Sequence, residues 1–148
     1  MKIIPNHILF EEVAERVANG ESVTIPLKGR SMEPLLKTGD FLTLVGVTEP
    51  LQVGDVVLFR YRGDYVLHRV AAIEGDNIKT QGDACSTQEH CTVADVVARL
   101  VAVRPPDGSE IHCTDAAWHS ASRQVLRRRN CRQRIRRCFD AQSRKRLA

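Results

Sequence analysis

Apolar residues recur at four-residue steps near the start of the chain, where Leu9, Val13 and Val17 are separated by charged side chains. This spacing places the three on one face of a helix and the charges on the other. It predicts a short amphipathic helix over residues 7–19, and the Asn19-Gly20 pair is typical of a helix end.

Six short runs of strand-forming residues follow this helix, and they read SVTIPL, DFLTLVGV, DVVLFRY, YVLHRVAAI, NIKTQ and VVARLVAV. Each is rich in Val, Ile, Leu or aromatic residues, which favour strands. Five Gly-Asp pairs punctuate the runs, and they indicate turns because Gly accepts positive φ and Asp bonds its own backbone. Many short strands at this spacing predict a mainly β, compact, barrel-like domain over residues 22–103.

A second helix is predicted near the end of the chain. The segment RPPDGSE, residues 104–110, ends the β region, and residues 114–140 contain no Gly or Pro. Two apolar groups could each share a helix face, although arginines interrupt the stripe between them: Trp118, Ala121 and Val125, then Cys131, Ile135 and Phe139. We therefore divide the chain into an N-terminal helix (1–21), a β domain (22–103) and a linker with a basic helical tail (104–148).

Charge is distributed unevenly along the 148 residues. Residues 1–103 carry ten Lys or Arg against fourteen Asp or Glu, whereas residues 104–148 carry twelve against four. The tail is therefore interpreted as a solvated basic helix or as a peripheral contact with anionic lipid. Nucleic-acid binding is the least expected of the three, because no aromatic residues are interleaved for base stacking and no known motif is present.

Targeting and metal signals are absent from the sequence. No run reaches the roughly 18–20 apolar residues of a membrane span, and acidic residues and Pro5 in the first fifteen positions argue against a secretory signal. We expect a cytoplasmic location or a peripheral one at the cytoplasmic membrane. The odd number of cysteines then predicts free thiols, and the C-x5-C spacing matches no zinc pattern, so neither metal nor cofactor is expected: Cys85, Cys91, Cys113, Cys131 and Cys138.

Three polar residues stand out as candidates for chemistry: Ser31 in KGRSMEPLLKTGD, His68 in YVLHRV and Asp83 in TQGDAC. Considered singly, they are a turn serine, a buried strand histidine and one more Gly-Asp turn. Considered together, they are a nucleophile, a base suited to neutral pH and an acid able to orient that base.

The order and setting of these residues resemble a known family. GRSMEP resembles the Ser-Met-x-Pro box of type I signal peptidases, and GDVVLFRYRGDYVLHRV resembles the following box, in which the catalytic base directly precedes Arg-Val. GDNIKTQGDA is similar to the closing Gly-Asp box. The resemblance covers residues 22–103. The family is related to the self-cleaving SOS-type repressors, so the resemblance implies that this chain has the β-barrel body of these proteins.

The resemblance also implies catalytic roles. Most members use a Ser–Lys pair, but His68 stands at the base position here, as in the branch found in the endoplasmic reticulum, archaea and spore-forming bacteria. Carried over by position, Ser31 is the nucleophile, His68 the general base and Asp83 the orienting acid. Asp95 is a weaker candidate for the acidic role, because some members carry a second acid downstream.

Substrate-binding roles are implied around the same serine. The N–H of Ser31, with help from near Gly29, would donate to the oxyanion. Met32 and Pro34 would shape the turn and a pocket for the small side chains that this family's cleavage sites require.

The expected function is therefore a serine endopeptidase that cleaves a leader or signal peptide. The hydrophobic anchor of the family is absent from this sequence, which favours a soluble or peripheral enzyme acting on few leader-bearing peptides. One alternative is a self-cleaving SOS-repressor-like regulator, but that protein would need lysine at position 68 and an Ala-Gly or Cys-Gly bond, and the chain has neither. The other alternative is a catalytically inactive peptide-binding relative.

Overall fold

The computed structural model describes the backbone of residues 6–147 and the side chains of residues 8–136. Two helices flank a run of strands, with a one-turn helix at Val93–Asp95 before the seventh strand. The elements are α1 (Asn6–Ala18), β1 (Val23–Pro26), β2 (Phe41–Val45), β3 (Val56–Tyr61), β4 (Asp64–Glu74), β5 (Asn77–Gln81), β6 (Glu89–Thr92), β7 (Val96–Arg104), β8 (Ile111–His112) and α2 (Ala116–Leu147).

The strands form one antiparallel sheet in the order β1-β2-β7-β3-β4-β5-β6, and β8 pairs with β7. This confirms the prediction of a mainly β body. Within the described residues, however, β1 and β6 do not pair with each other. The sheet is therefore open, and it is not closed into a barrel.

Two apolar clusters stabilise the sheet, and β3 contributes to both. Val56 and Leu58 join the larger cluster, which also contains residues of α1, β1, β2 and β7. Val57 and Phe59 join the smaller one, which reaches β4 and β5. Successive side chains of a strand point to opposite faces, so β3 is buried on both sides and carries the sheet between two cores.

Helix α1 packs on the larger cluster as its four-residue spacing predicts. Val13 and Val17 are 1% and 5% exposed, and Leu9 packs beside them. The observed helix begins and ends one residue before the predicted bounds.

Helix α2 is confirmed as the second helix, and its first half docks on the sheet. Trp118, Ser122 and Val125 are buried, so the first predicted apolar face is largely correct. The second is not, because Cys131 is exposed and Ile135 is 57% exposed, and the side chain of Phe139 lies outside the described residues. Surrounding arginines favour solvation of this half of the helix.

Cys85, Cys91, Cys113 and Cys131 are free thiols, in agreement with the sequence prediction, while the side chain of Cys138 lies outside the described residues. Across the described part of the chain, no helix has the length and apolarity needed to cross a membrane.

Candidate active site

The turn that carries Ser31 is fixed on both sides by its neighbours. After Ser31, Met32 and Leu36 are buried in the larger cluster. Before it, Gly29 has a φ of +115°, a conformation that strongly favours glycine, and its N–H and C=O both bond to Thr38 Oγ1, at 3.1 and 3.0 Å. Ser31 itself stays partly exposed, so a rigid turn presents its side chain near the surface.

His68 lies in the middle of β4, opposite Val57 of β3, and is 8% exposed. Its Nδ1 is 3.0 Å from Glu89 Oε1, and Glu89 Oε2 accepts a hydrogen bond from Thr80 Oγ1 at 2.8 Å. An ionised carboxylate only accepts hydrogen bonds, so Nδ1 is the donor in this contact, and in the neutral tautomer that donates through Nδ1 the lone pair is on Nε2. The imidazole is therefore oriented as a base that acts through Nε2.

The Ser31 turn and His68 meet at Gly82. A Cβ at this position would lie 2.7 Å from the Ser31 carbonyl oxygen and 2.9 Å from His68 Nε2. The Ser31 carbonyl also accepts a hydrogen bond from the N–H of Ala84 at 2.9 Å. Only a glycine leaves room here, and the imidazole nitrogen and the turn that carries the serine both lie beside it.

Ser31 Oγ and His68 are not hydrogen-bonded to each other in the described side chains. Catalytic hydrogen bonds are commonly long without substrate and tighten in the complex. What the structure brings together is the serine turn, the imidazole and a carboxylate behind it.

Asp83 does not make the contact that the sequence analysis assigns to it. Its two carboxylate oxygens accept hydrogen bonds from Nε and Nη2 of Arg69, at 2.9 and 2.8 Å, in a pair whose side chains are at most 1% exposed. Arg69 Nη1 also donates to Gly54 O and to Ser122 Oγ of α2. A buried guanidinium requires a paired carboxylate, and Asp83 is the partner that neutralises the charge of Arg69. The carboxylate that contacts the imidazole of His68 is that of Glu89.

Asp95 also makes its hydrogen bonds elsewhere than to the imidazole. Its Oδ2 accepts hydrogen bonds from the N–H and hydroxyl of Thr92, at 2.9 and 3.1 Å, which caps the one-turn helix. It lines a concavity of about 640 Å³ over β4, β5 and β6 that contains neither Ser31 nor His68. The contacts that Asp95 makes here are local, and its acidic role stays a prediction.

The remaining predicted residues divide between core and surface. Met32 is 2% exposed and anchors the turn from below, so it supports the serine from within the core. Pro34 lines a groove of about 530 Å³ between the Ser31 turn and α2. The substrate-binding roles of Gly29, Met32 and Pro34 stay predictions.

Glu89 is the residue that sequence reasoning missed. It begins β6, a strand of four residues that is not among the predicted runs. Its register opposite Thr80, itself opposite Val70 of β4, places Glu89 on the same face as His68. In the sequence, Glu89 is one carboxylate within a short polar segment, QEHC. This segment has no alternation of apolar and polar residues that would predict a strand.

Cys85 is a second potential nucleophile beside this site, because its Sγ is 4.0 Å from the Ser31 carbonyl oxygen. Burial raises the pKa of its thiol, and nearby Glu89 and Asp83 raise it further. The thiol form is therefore favoured at neutral pH, and the thiolate is the reactive species. The environment of Cys85 does not activate it.

Comparison with family models matches residues 13–114, more than two thirds of the chain, to the family described as signal peptidase, peptidase S26. The matched range includes Ser31, His68, Asp83 and Glu89 and ends just before α2. No curated protein matches the chain.

Proposed function

Because this chain belongs to the signal peptidase family, peptidase S26, we propose that it is a serine endopeptidase that cleaves a leader or signal peptide. Family membership supports a hydrolase that acts on peptide bonds. The serine mechanism, with Ser31 as nucleophile and His68 as general base, is the finer step that we add.

The observation that carries the proposal is the contact at Gly82, where His68 Nε2 and the Ser31 turn meet. A serine is a weak nucleophile unless an adjacent base removes its proton. With Nδ1 bonded to Glu89, the lone pair on Nε2 is available for the Ser31 hydroxyl. In the proposed mechanism, the Ser31 hydroxyl and His68 Nε2 come within hydrogen-bond reach when the peptide binds.

In the proposed first step, Ser31 Oγ attacks the carbonyl carbon of the scissile bond while its proton moves to His68 Nε2. The backbone N–H of Ser31 donates to the oxyanion that forms. His68 then gives the proton to the leaving amine as the C–N bond breaks, which leaves an ester on Ser31. Water attacks that ester, again with His68 as base, and releases the acid and the free serine.

The test is cleavage of a peptide with Ala-x-Ala before the scissile bond by Ser31→Ala and His68→Ala. We expect each substitution to lower kcat/KM by on the order of 10³-fold or more, while circular dichroism and thermal unfolding stay close to those of the unsubstituted protein. Matched controls are Ser120→Ala and His119→Ala, two exposed positions on α2, which should keep full activity. Full activity in Ser31→Ala or His68→Ala would refute the mechanism.

A further inference from the structure

A groove runs along the Ser31 turn, with helix α2 as its opposite wall. On one side lie Glu33, Pro34 and the segment 83–86, and on the other a helical face rich in arginine. We call it the arginine groove, after four residues spaced to share one helix face: Arg128, Arg129, Arg132 and Arg136. Its floor adjoins the contact between Ser31 and Gly82, because Ala84 donates to the Ser31 carbonyl.

Arg129 is the residue in this groove that lacks an acceptor. Its Nε and Nη1 are buried and have no hydrogen-bond partner among the described residues. Burial lowers the pKa of Arg129, and the nearby charge of Asp83 opposes that shift. Asp83 already gives both oxygens to Arg69. A buried donor on a cation is costly when unpaired, so the groove is electrostatically incomplete.

The charge balance of the groove indicates what would complete it. The groove is lined by four arginines and by two carboxylates, those of Glu33 and Asp83. Asp83 is already paired with Arg69, which leaves the carboxylate of Glu33 to balance the four arginines. Carboxylates match the planar, forked donors of arginine. From Arg129 to Arg136 the helix rises about 10 Å, which is the length of roughly three residues of extended peptide.

We propose that the arginine groove binds acidic side chains of the substrate peptide close to its scissile bond, so that the enzyme selects peptides with an acidic segment there. This inference rests on the proposed function, since it assigns a specificity to the same site. Helix α2, which supplies the arginines, lies beyond the range matched to the family. Arg129 and Arg132 are its specificity-determining residues.

The test compares peptides that share an Ala-x-Ala cleavage site and differ in one tripeptide. The tripeptide consists of Asp, of Asn or of Lys residues, and it is placed either before or after the scissile bond. In one placement we expect the Asp peptide to exceed the Asn peptide in kcat/KM by about tenfold or more, and the Lys peptide to be poorest. High salt should reduce the ratio, because screening weakens exposed ion pairs. Equal rates for Asp and Asn peptides in both placements would overturn the inference.

The variants separate a local effect from loss of charge. Arg129→Gln/Arg132→Gln should abolish the Asp/Asn ratio, whereas Arg127→Gln/Arg134→Gln removes the same charge from positions outside the groove and should keep it. The ratio is measured within each variant, so a general loss of activity cancels. An equal fall of the ratio in both variants would assign it to net charge and contradict the groove.

Binding to the Ser31→Ala variant makes the inference testable apart from catalysis. Fluorescence anisotropy should show about tenfold or tighter binding of the Asp peptide than of the Asn peptide in the same placement. Discrimination without any cleavage by the active chain would support the groove and refute the proposed function. If Arg129→Gln/Arg132→Gln instead loses binding to phosphatidylglycerol vesicles, with no peptide discrimination in the parent, the groove serves a membrane surface and the inference is wrong.

Discussion

Glu89 and Asp83 are two carboxylates that differ in the partner that each one binds. Glu89 contacts the imidazole and Thr80, whereas Asp83 is held in a two-point pair with buried Arg69. The first arrangement fixes a tautomer, and the second neutralises a charge in the core. Their removal should therefore affect different properties.

Glu89→Gln should lower kcat by on the order of 10²–10⁴-fold, because the amide can donate to Nδ1 and favour the wrong tautomer. KM and the free energy of unfolding should change little.

Asp83→Asn should instead destabilise the fold by about 3–5 kcal/mol, since Arg69 is left buried with its charge uncompensated. Peptide cleavage kinetics and urea unfolding measure the two effects. The reverse pattern would return the orienting role to Asp83.

At the scale of elements, the site depends on a junction of three segments at Gly82. The Ser31 turn, strand β4 with His68, and the connection from β5 to β6 all approach this residue. Four other Gly-Asp pairs begin with a positive-φ glycine, at Gly39, Gly54, Gly63 and Gly75, but Gly82 does not. At position 82, glycine is required because a side chain would clash with neighbouring atoms, and not because the backbone has a positive φ.

Gly82→Ala should displace the Ser31 turn, because its methyl group would lie 2.7 Å from a backbone oxygen that cannot rotate away. We expect a stability loss of about 1–3 kcal/mol and a fall in kcat/KM of about tenfold to a hundredfold, as for a small misplacement of reacting groups.

The control for this prediction is Gly75→Asn. Its φ of +60° suits asparagine, and no atom lies within 4 Å of the position that a Cβ would occupy there. This variant should retain both stability and activity. Unchanged kinetics in Gly82→Ala would mean that the junction does not position the serine.

Local patterns predicted most of these elements and only part of their assembly. Runs of Val, Ile and Leu correctly predicted β1 to β5 and β7, and the four-residue spacing predicted α1. The two-residue strand β8 and the polar strand β6 have no such pattern, so the position of Glu89 depended on pairing that only the folded chain defines. The partner of Arg69 was hidden for the same reason, because a buried ion pair joins residues with no local relation.

At the scale of the whole molecule, the excess of positive charge is on the last third of the chain, and it serves two different regions. The arginine groove belongs to the folded body, whereas residues 137–148 add four Lys or Arg and one Asp in sequence. Each basic residue near an anionic lipid surface contributes about 1 kcal/mol. We propose that this distal segment makes a peripheral contact with an anionic membrane surface.

Ending the chain after Arg136 should weaken partition onto phosphatidylglycerol vesicles by about tenfold or more, with a smaller difference at high salt. Cleavage of a neutral peptide in solution should be unaffected. Vesicle sedimentation measures the partition, and phosphatidylcholine vesicles are the control. Equal sedimentation of the two chains would remove the membrane role of this segment.

His68 and Arg69 are consecutive residues of β4, one bonded to Glu89 and the other to Asp83. Because neighbouring side chains of a strand alternate between faces, inserting or deleting one residue just before them would exchange imidazole and guanidinium. The base would then face the buried aspartate, and the cation would face the serine turn. A change of length that falls in a hairpin turn flanking β4, such as the one at Gly63, leaves both pairs on their own faces.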